Sequence, residues 1–177
     1  GGEAQADQTG AITVNATDGT LNFSASNLNL RGVGSTTTIT TPIDTSAAAD
    51  MDVTIQGTAI DLDAGITTDS GSLTFTGPVN INGTVALDTG NGGASTTADN
   101  VTFTGIVSAN DGTGDVLTIA ADGSTTDGDI EFQADVDGTQ DLDGLTISAA
   151  NQVDFQDVVL DGSLAVTATN IDLNTDV

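Results

Sequence analysis

The stretch LTISAANQVDFQDVVLDGSLAVTATNIDL, residues 145–173, decides the fold class. It holds one pattern twice: an apolar-x-apolar-x-small run, a few intervening residues, and a second apolar-x-apolar pair. The first copy begins at Leu145 and the second at Leu164. Alternation of apolar and polar residues over such short runs indicates β-strands that are buried on one face. A repeat of about 20 residues with two or three short strands is typical of one coil of a β-solenoid.

The same unit recurs earlier in the chain. It begins at Leu21, at Val53 and, in a shortened form, at Leu73, which follows Val53 at nearly the same interval. Asp-Gly occurs seven times and Asn-Gly twice, and both pairs favour tight turns between strands. Two longer stretches, 31–51 and 88–101, interrupt the rhythm. We expect the small residue after each strand to lie at a corner where the chain bends; these residues are Ala25, Gly57, Gly77, Gly105, Ala149 and Ala168.

These patterns predict an all-β protein with a single β-solenoid domain over residues 1–177, built from about eight or nine short coils. Each coil would stack on the next and bury its Leu, Ile, Val and Phe in one column. All five phenylalanines should point into this column: Phe23, Phe75, Phe103, Phe132 and Phe155. An antiparallel β-sandwich is the alternative, although its core usually contains larger aromatics, and this chain has no Trp or Tyr. Residues 1–10 are small and polar, and we expect a disordered or linking segment there.

The composition excludes several classes of function. The 177 residues include 24 Asp, 2 Glu, one Arg and no Lys, and the net charge is -25. Such a charge repels nucleic acid and anionic membrane surfaces. The absence of Cys and His removes zinc, haem and iron–sulfur sites. No apolar run approaches the ~18 residues of a membrane span. We therefore expect no nucleic-acid partner and no membrane insertion.

Catalysis also has little support in the sequence. Carboxylates two residues apart, such as Asp61 with Asp63, would face the same side of a strand, and a glycosidase needs such a pair. The aromatic residues that would stack on a sugar are missing, and Arg31 is the one residue that could serve as the base of a lyase. We expect a non-enzymatic protein with no catalytic residues and no organic cofactor.

Calcium is the one cofactor that the sequence suggests. Clustered carboxylates and turn carbonyls are hard oxygen ligands of the kind that Ca²⁺ prefers. The alternative is a solvated acidic face, because Asp is also a common turn residue. The candidate calcium ligands are Asp127, Asp129, Asp135, Asp137, Asp141 and Asp143.

Part of the chain resembles a known family. The residues DGDIEF at 127–132, DVDGTQDL at 135–142 and GLTI at 144–147 resemble repeats of giant bacterial exoproteins of the filamentous-haemagglutinin type. The run GSLTFTG at 71–77 has the same style. This resemblance implies a right-handed parallel β-helix, a location outside the cell or on the bacterial surface, and a role in adhesion or in an extracellular matrix.

The sequence thus predicts a structural protein: a segment or subunit of a surface fibre, an adhesin stalk or a biofilm matrix filament that associates head to tail with copies of itself. One alternative is an adhesin module that binds a glycan or another surface ligand, with calcium as a cofactor. A further alternative is an ice-binding protein, because Thr-x-Thr pairs recur at positions 36–40, 74–76, 102–104 and 167–169. Their irregular spacing argues against a continuous ice-binding face.

Overall fold

A computed structural model describes the backbone of residues 4–8, 12–14 and 21–22, and all atoms of residues 27–111 and 113–174. Within these residues the chain is all-β, with twenty short strands and no helix. In chain order the strands are β1 Ala4–Gln8, β2 Ile12–Val14, β3 Leu21–Asn22, β4 Asn27–Gly32, β5 Thr36–Ile39, β6 Ile43–Asp44, β7 Asp52–Gln56, β8 Ala59–Leu62, β9 Ile66–Thr67, β10 Leu73–Thr76, β11 Val79–Ile81, β12 Thr84–Asp88, β13 Val101–Phe103, β14 Val107–Ala109, β15 Val116–Ala120, β16 Asp129–Phe132, β17 Leu142–Ala149, β18 Gln152–Phe155, β19 Leu160–Val166 and β20 Asn170–Leu173.

The strands form three parallel sheets, which the chain visits in turn. Sheet A has the order β1-β4-β7-β10-β13-β16-β18-β20, sheet B the order β14-β11-β8-β5-β2, and sheet C the order β19-β17-β15-β12-β9-β6-β3. Beyond β14, sheet B continues as single parallel bridges that join Val107 to Val136 and Val136 to Val158. Every pairing between the described strands is parallel, so the antiparallel sandwich is wrong. This connectivity is consistent with a parallel β-helix.

We call the run of chain from one strand of sheet A to the next a coil. The strand register confirms the repeat seen in the sequence, because Leu145 pairs with Leu164 and Val53 pairs with Leu73. Coil length nevertheless varies. The coil from Val101 to Ile130, which are register partners in neighbouring strands, is the longest, and the coil from Val153 to its partner Ile171 is the shortest. The variation lies in the connections between strands, of which the stretch 89–100 is one of the longest.

The core is a column of inward side chains in which each coil covers the next. Strand after strand alternates between buried and half-buried residues, as β7, β8 and β10 do. Four phenylalanines occupy one line of sheet A, and each is at most 1 % exposed. Their rings stack with centroid separations of 4.9, 4.9 and 5.2 Å in the order Phe75, Phe103, Phe132 and Phe155. The inward orientation is confirmed for these four, whereas Phe23 lies outside the residues whose side chains are described.

The stretch 31–51 is not the interruption that the sequence predicted. It contains the end of β4 and the whole of β5 and β6, which pair with β8 and β9 of the next coil. The apolar pattern fails there because Thr37 takes an inward position, is fully buried, and donates its hydroxyl to the carbonyl of Gln56 at 2.8 Å. Strand β1 similarly lies within residues 1–10, where we expected a disordered or linking segment.

The predicted small corner residues fall at two different corners. Gly57, Gly77 and Gly105 lie between sheets A and B, whereas Ala149 is the last residue of β17 in sheet C and Ala168 lies between sheets C and A. Ala25 lies outside the described residues. The three glycines stack closely: a Cβ added to Gly105 would lie 2.5 Å from the carbonyl carbon of Gly77, and one added to Gly77 would lie 2.2 Å from the carbonyl oxygen of Gly57. Glycine is therefore needed for the coils to approach one another at this corner.

Candidate functional site

The column of buried side chains is uncovered at the β19–β20 end. Leu164, Ile171 and Leu173 are 47 %, 51 % and 60 % exposed. They continue the lines of Leu145, Val153 and Phe155, their respective register partners, each of which is at most 1 % exposed. The same inward pattern that is buried in the preceding coils from residue 27 onward therefore ends as an apolar surface. We call Leu164, Ile171 and Leu173 the end surface.

Backbone edges accompany the end surface. Strand β20 pairs with β18, and β19 pairs with β17, through one edge only among the described strands. Strands β1, β2 and β3 likewise pair through one edge with β4, β5 and β6 at the other end of the stack. Parallel strands with a free edge are templates for the addition of another strand. The two ends thus present opposite strand edges of sheets A and C, and the β1–β3 end also presents a strand edge of sheet B.

Among the residues whose side chains are described, three other large apolar side chains are exposed, and all three lie on the sides of the stack. Val33 lies in the turn between β4 and β5, Ile106 between β13 and β14, and Val159 just before β19. Their exposed fractions lie between 42 % and 46 %. Val33 and Ile106 lie at the same corner, between sheets A and B, but two coils separate them, and Val159 lies at another corner. They therefore do not form a second continuous apolar surface in the described part of the chain, and they serve as matched controls for the end surface.

The structure distributes the six predicted calcium ligands from the end of the fifth coil through the sixth. Asp127 accepts the Gly123 amide at 3.2 Å before β16, and Asp129 accepts the side-chain amide of Asn151 at 2.7 Å on β16. Asp143 accepts the Gly114 amide from within β17. Asp135 accepts the Asp157 amide at 3.4 Å. These four carboxylates each hold a different backbone or side-chain donor.

Asp137 and Asp141 are the two predicted ligands that meet. Desolvation, a hydrogen bond to Asp137 and the charges of Asp137 and Asp161 raise the pKa of Asp141 above its usual 3.8, while the Gly138 amide acts in the opposite direction. Among the described residues, no group of three or more acidic side chains is arranged to hold a metal ion. A calcium site at these aspartates remains a prediction from the sequence.

An acidic ladder runs along the outer face of sheet A. Glu131 pairs with Asp154, and Asp154 pairs with Asp172, so three carboxylates occupy one line of three neighbouring strands. The same line carries the neutral residues Thr74 and Thr102 in the two coils before Glu131. Like charges directly opposite each other on neighbouring strands are destabilising. The repulsion is thus concentrated in the coils nearest the end surface.

Sequence reasoning missed a second group of carboxylates, which the fold brings together from different coils: Asp50, Asp52 and Asp99. Partial burial, followed by the charges of Asp52 and Asp50, raises the pKa of Asp99 above 3.8. Asp52 is held in place because its Oδ1 accepts both the amide and the hydroxyl of Ser72, at 2.9 and 2.7 Å. The signal in the sequence was too weak to find this group, because Asp99 approaches Asp52 only through the register of the coils.

Asp115 and Asp143 join neighbouring coils at the start of sheet C strands. Asp115 is 1 % exposed, and its carboxylate accepts the amides of Gly83, at 2.6 Å, and Asp111, at 3.2 Å. Asp143 holds the equivalent position one coil later and accepts the amide of Gly114. Each aspartate reaches back to a glycine with positive φ in the preceding coil. These contacts give the carboxylates a structural role.

The described surface has no pocket. No helix in the described residues is long and apolar enough to cross a bilayer. No family model, curated protein or solved structure matches this chain. The function must therefore be inferred from two features of this structure: the end surface with its free strand edges, and the distribution of carboxylates.

Proposed function

We propose that this chain is a non-enzymatic structural protein, a segment or subunit of an extracellular fibre, adhesin stalk or matrix filament that assembles end to end. The observation that carries the proposal is the end surface, where Leu164, Ile171 and Leu173 are exposed although their register partners in the adjacent coil are buried. Burial of apolar side chains is worth ~25 cal/mol per Å² removed from water, so covering this surface is favourable.

The covering element that fits is another coil. The contact between the last coil of one copy and the first coil of the next would reproduce the parallel pairing that already joins neighbouring coils. Such a contact is heterologous, because it uses two different surfaces of the chain, and it propagates instead of closing. In a longer polypeptide, the next coil of the same chain would cover the same surface.

The finer description of the fold belongs to this proposal. We propose a right-handed β-helix, because connections between parallel strands of one sheet are right-handed in about 98% of cases. An extracellular or bacterial surface location rests on the resemblance to filamentous-haemagglutinin-type exoproteins. The net charge of -25 would keep the sides of neighbouring filaments apart.

The test is the assembly state of the purified chain of residues 1–177. We expect the parent to form rods that lengthen with protein concentration, as seen by negative-stain microscopy and by sedimentation velocity. The variant Leu164→Lys with Ile171→Lys places two charges on the end surface and should remain a single short unit, because a charge cannot be buried there without a partner.

The matched control places the same two charges on the sides of the stack. Val33→Lys with Ile106→Lys changes the net charge equally, at residues that are exposed to a similar extent. This variant should assemble like the parent. A parent that sediments as a monomer at every concentration, or equal loss of assembly in both double variants, would contradict the proposal.

A further inference from the structure

Asp-Gly and Asn-Gly pairs are the sites at which a polypeptide can modify itself. The backbone nitrogen of the glycine attacks the side-chain Cγ of the preceding residue and closes a five-membered succinimide ring, which water then opens. Opening at one carbonyl restores the original peptide link, and opening at the other gives isoaspartate, in which the main chain passes through the former side chain. Whether a given pair reacts depends on how the glycine amide is held in the fold.

In most of the described Asp-Gly and Asn-Gly pairs, the glycine amide is hydrogen-bonded to a group other than the side chain of the preceding residue. The Gly83 amide donates to Asp115 at 2.6 Å and the Gly92 amide to Asp88 at 2.7 Å, which protects the two Asn-Gly pairs. The Gly123 amide donates to Asp127 and the Gly128 amide to the carbonyl of Ala121. Apart from Gly138, the other two described glycines that follow Asp are Gly144, within β17, and Gly162, within β19.

Gly138 is different. Its amide donates to Oδ1 of Asp137, the residue immediately before it, at 2.5 Å. This contact holds the carboxyl group of Asp137 against the nitrogen that would attack it. Gly138, Thr139 and Gln140 are exposed, so water can reach the ring once it has formed. Because Cγ is bonded to Oδ1, the same hydrogen bond keeps the carbon that would be attacked close to the Gly138 nitrogen.

We infer that Asp137–Gly138 is a site of spontaneous isomerisation, at which this chain converts Asp137 to isoaspartate through a succinimide faster than at its other described Asp-Gly pairs. A bond forms between the Gly138 nitrogen and Asp137 Cγ, and the bond from Cγ to one carboxyl oxygen breaks. The amide proton and the hydroxyl of the protonated carboxyl group leave together as one water molecule. A second water molecule then opens the ring, so the product has the same mass as the starting chain.

Isomerisation would alter the part of sheet B that has the fewest pairings. The Asp137 amide donates to the carbonyl of Val107 at 3.1 Å, and the carbonyl of Val136 accepts the Val159 amide at 2.8 Å. An isoaspartyl link adds one carbon to the main chain after Asp137 and shifts the atoms that follow. The bridges from Val107 to Val136 and from Val136 to Val158 should therefore weaken in aged molecules.

The experiment is to incubate the purified chain at physiological temperature in mildly acidic buffer made with water enriched in the heavy oxygen isotope. Peptide mapping then locates the incorporated label and the isoaspartate, with a protease that cleaves before Asp but not before isoaspartate. We expect label and isoaspartate at 137 several-fold sooner than at 122, 127, 143 or 161. The dehydrated intermediate should appear in the same peptide, lighter by one water.

Two controls separate geometry from sequence. In denaturant the fold no longer holds any amide, so isomerisation at 137 should fall to the rate of the other Asp-Gly pairs. Asp137→Glu keeps the charge but cannot form the five-membered ring, and isoaspartate should be lost at this position alone; Asp127→Glu should leave the yield at 137 unchanged. Equal rates at 137 and 127 in the folded chain, or a preference for 137 that persists in denaturant, would overturn the inference.

Discussion

Phe103 lies inside the aromatic stack, with Phe75 on one side and Phe132 on the other, each at a centroid separation of 4.9 Å. The stack is regular because equivalent inward positions of consecutive coils carry the same side chain. A residue with two such neighbours cannot be replaced by a smaller one without leaving a cavity between coils, since neither neighbouring ring can move along the column.

Phe103→Ala should therefore lower the free energy of unfolding by about 3–5 kcal/mol. The measurement is equilibrium denaturation of parent and variant in urea. Ile106→Ala is the control, because Ile106 is an exposed apolar residue next to the same strand; a surface change of this kind should stay within about 0.5 kcal/mol of the parent. A similar small loss for both variants would show that the rings contribute little.

Asp99 links the carboxylates to the pH dependence of stability. Its pKa is raised in the folded chain by partial burial and by Asp52 and Asp50, so the folded state binds the proton more tightly than the unfolded state. The shifted pKa of Asp99 therefore contributes favourably to the free energy of unfolding below pH 3.8. This contribution is lost as the pH rises through the raised pKa.

Asp99→Asn should make the chain more stable at neutral pH and flatten the fall in stability above pH 3.8. The backbone carbonyl that accepts the Thr89 hydroxyl is unchanged in this variant. Unfolding followed across the pH range for parent and variant gives the comparison. Two parallel pH profiles would show that Asp99 is not linked to folding.

Among the elements, the corners between sheets A and B tolerate little change. Gly105→Ala places a methyl group 2.5 Å from the Gly77 carbonyl carbon, so the coils must separate. Overpacking of this kind costs about 1–3 kcal/mol. Gly144→Ala is the control, because its added methyl group would meet neighbours only at 3.6 Å or more; it should be neutral or slightly stabilising in the same denaturation experiment. Equal destabilisation would place the effect in the backbone conformation instead of the corner.

The strands also show what the sequence could and could not predict. Runs such as Val53–Ile55 and Leu145–Ile147 lie in β7 and β17 because their apolar residues face the column. Strand β5 was missed because Thr37 satisfies its hydroxyl inside the column, which an apolar pattern cannot reveal. The six aspartates predicted to cluster are close along the chain, but only Asp137 and Asp141 among them meet, and the other four bind different donors as the chain moves from sheet A to sheets B and C. Asp99 and Asp52 show the reverse, since only the register brings them together.

At the scale of the whole molecule, 26 acidic residues face one arginine. We expect the melting temperature to rise with ionic strength, with calcium and with lower pH, because each reduces repulsion between carboxylates. Calcium and sodium chloride compared at equal ionic strength separate a specific calcium effect from screening. Asp154→Asn should reduce the salt dependence more than Asp172→Asn, because Asp154 has an acidic residue on both sides of it in the ladder. A melting temperature indifferent to calcium, salt and pH would contradict this expectation.

The parallel pairing of successive coils has a mechanical consequence. Hydrogen bonds between parallel strands lie across the strands, so a force applied along the stack pulls on the bonds of one coil at a time instead of shearing many together. Each coil that opens would release its own length of chain, least from Val153 to Ile171 and most from Val101 to Ile130. At ~3.4 Å per residue, coils of this size lengthen the chain by roughly 60–100 Å each. Stretched between two surfaces, such a protein should yield as a series of small, uneven steps at low force, and dissipate the energy of a pull without breaking.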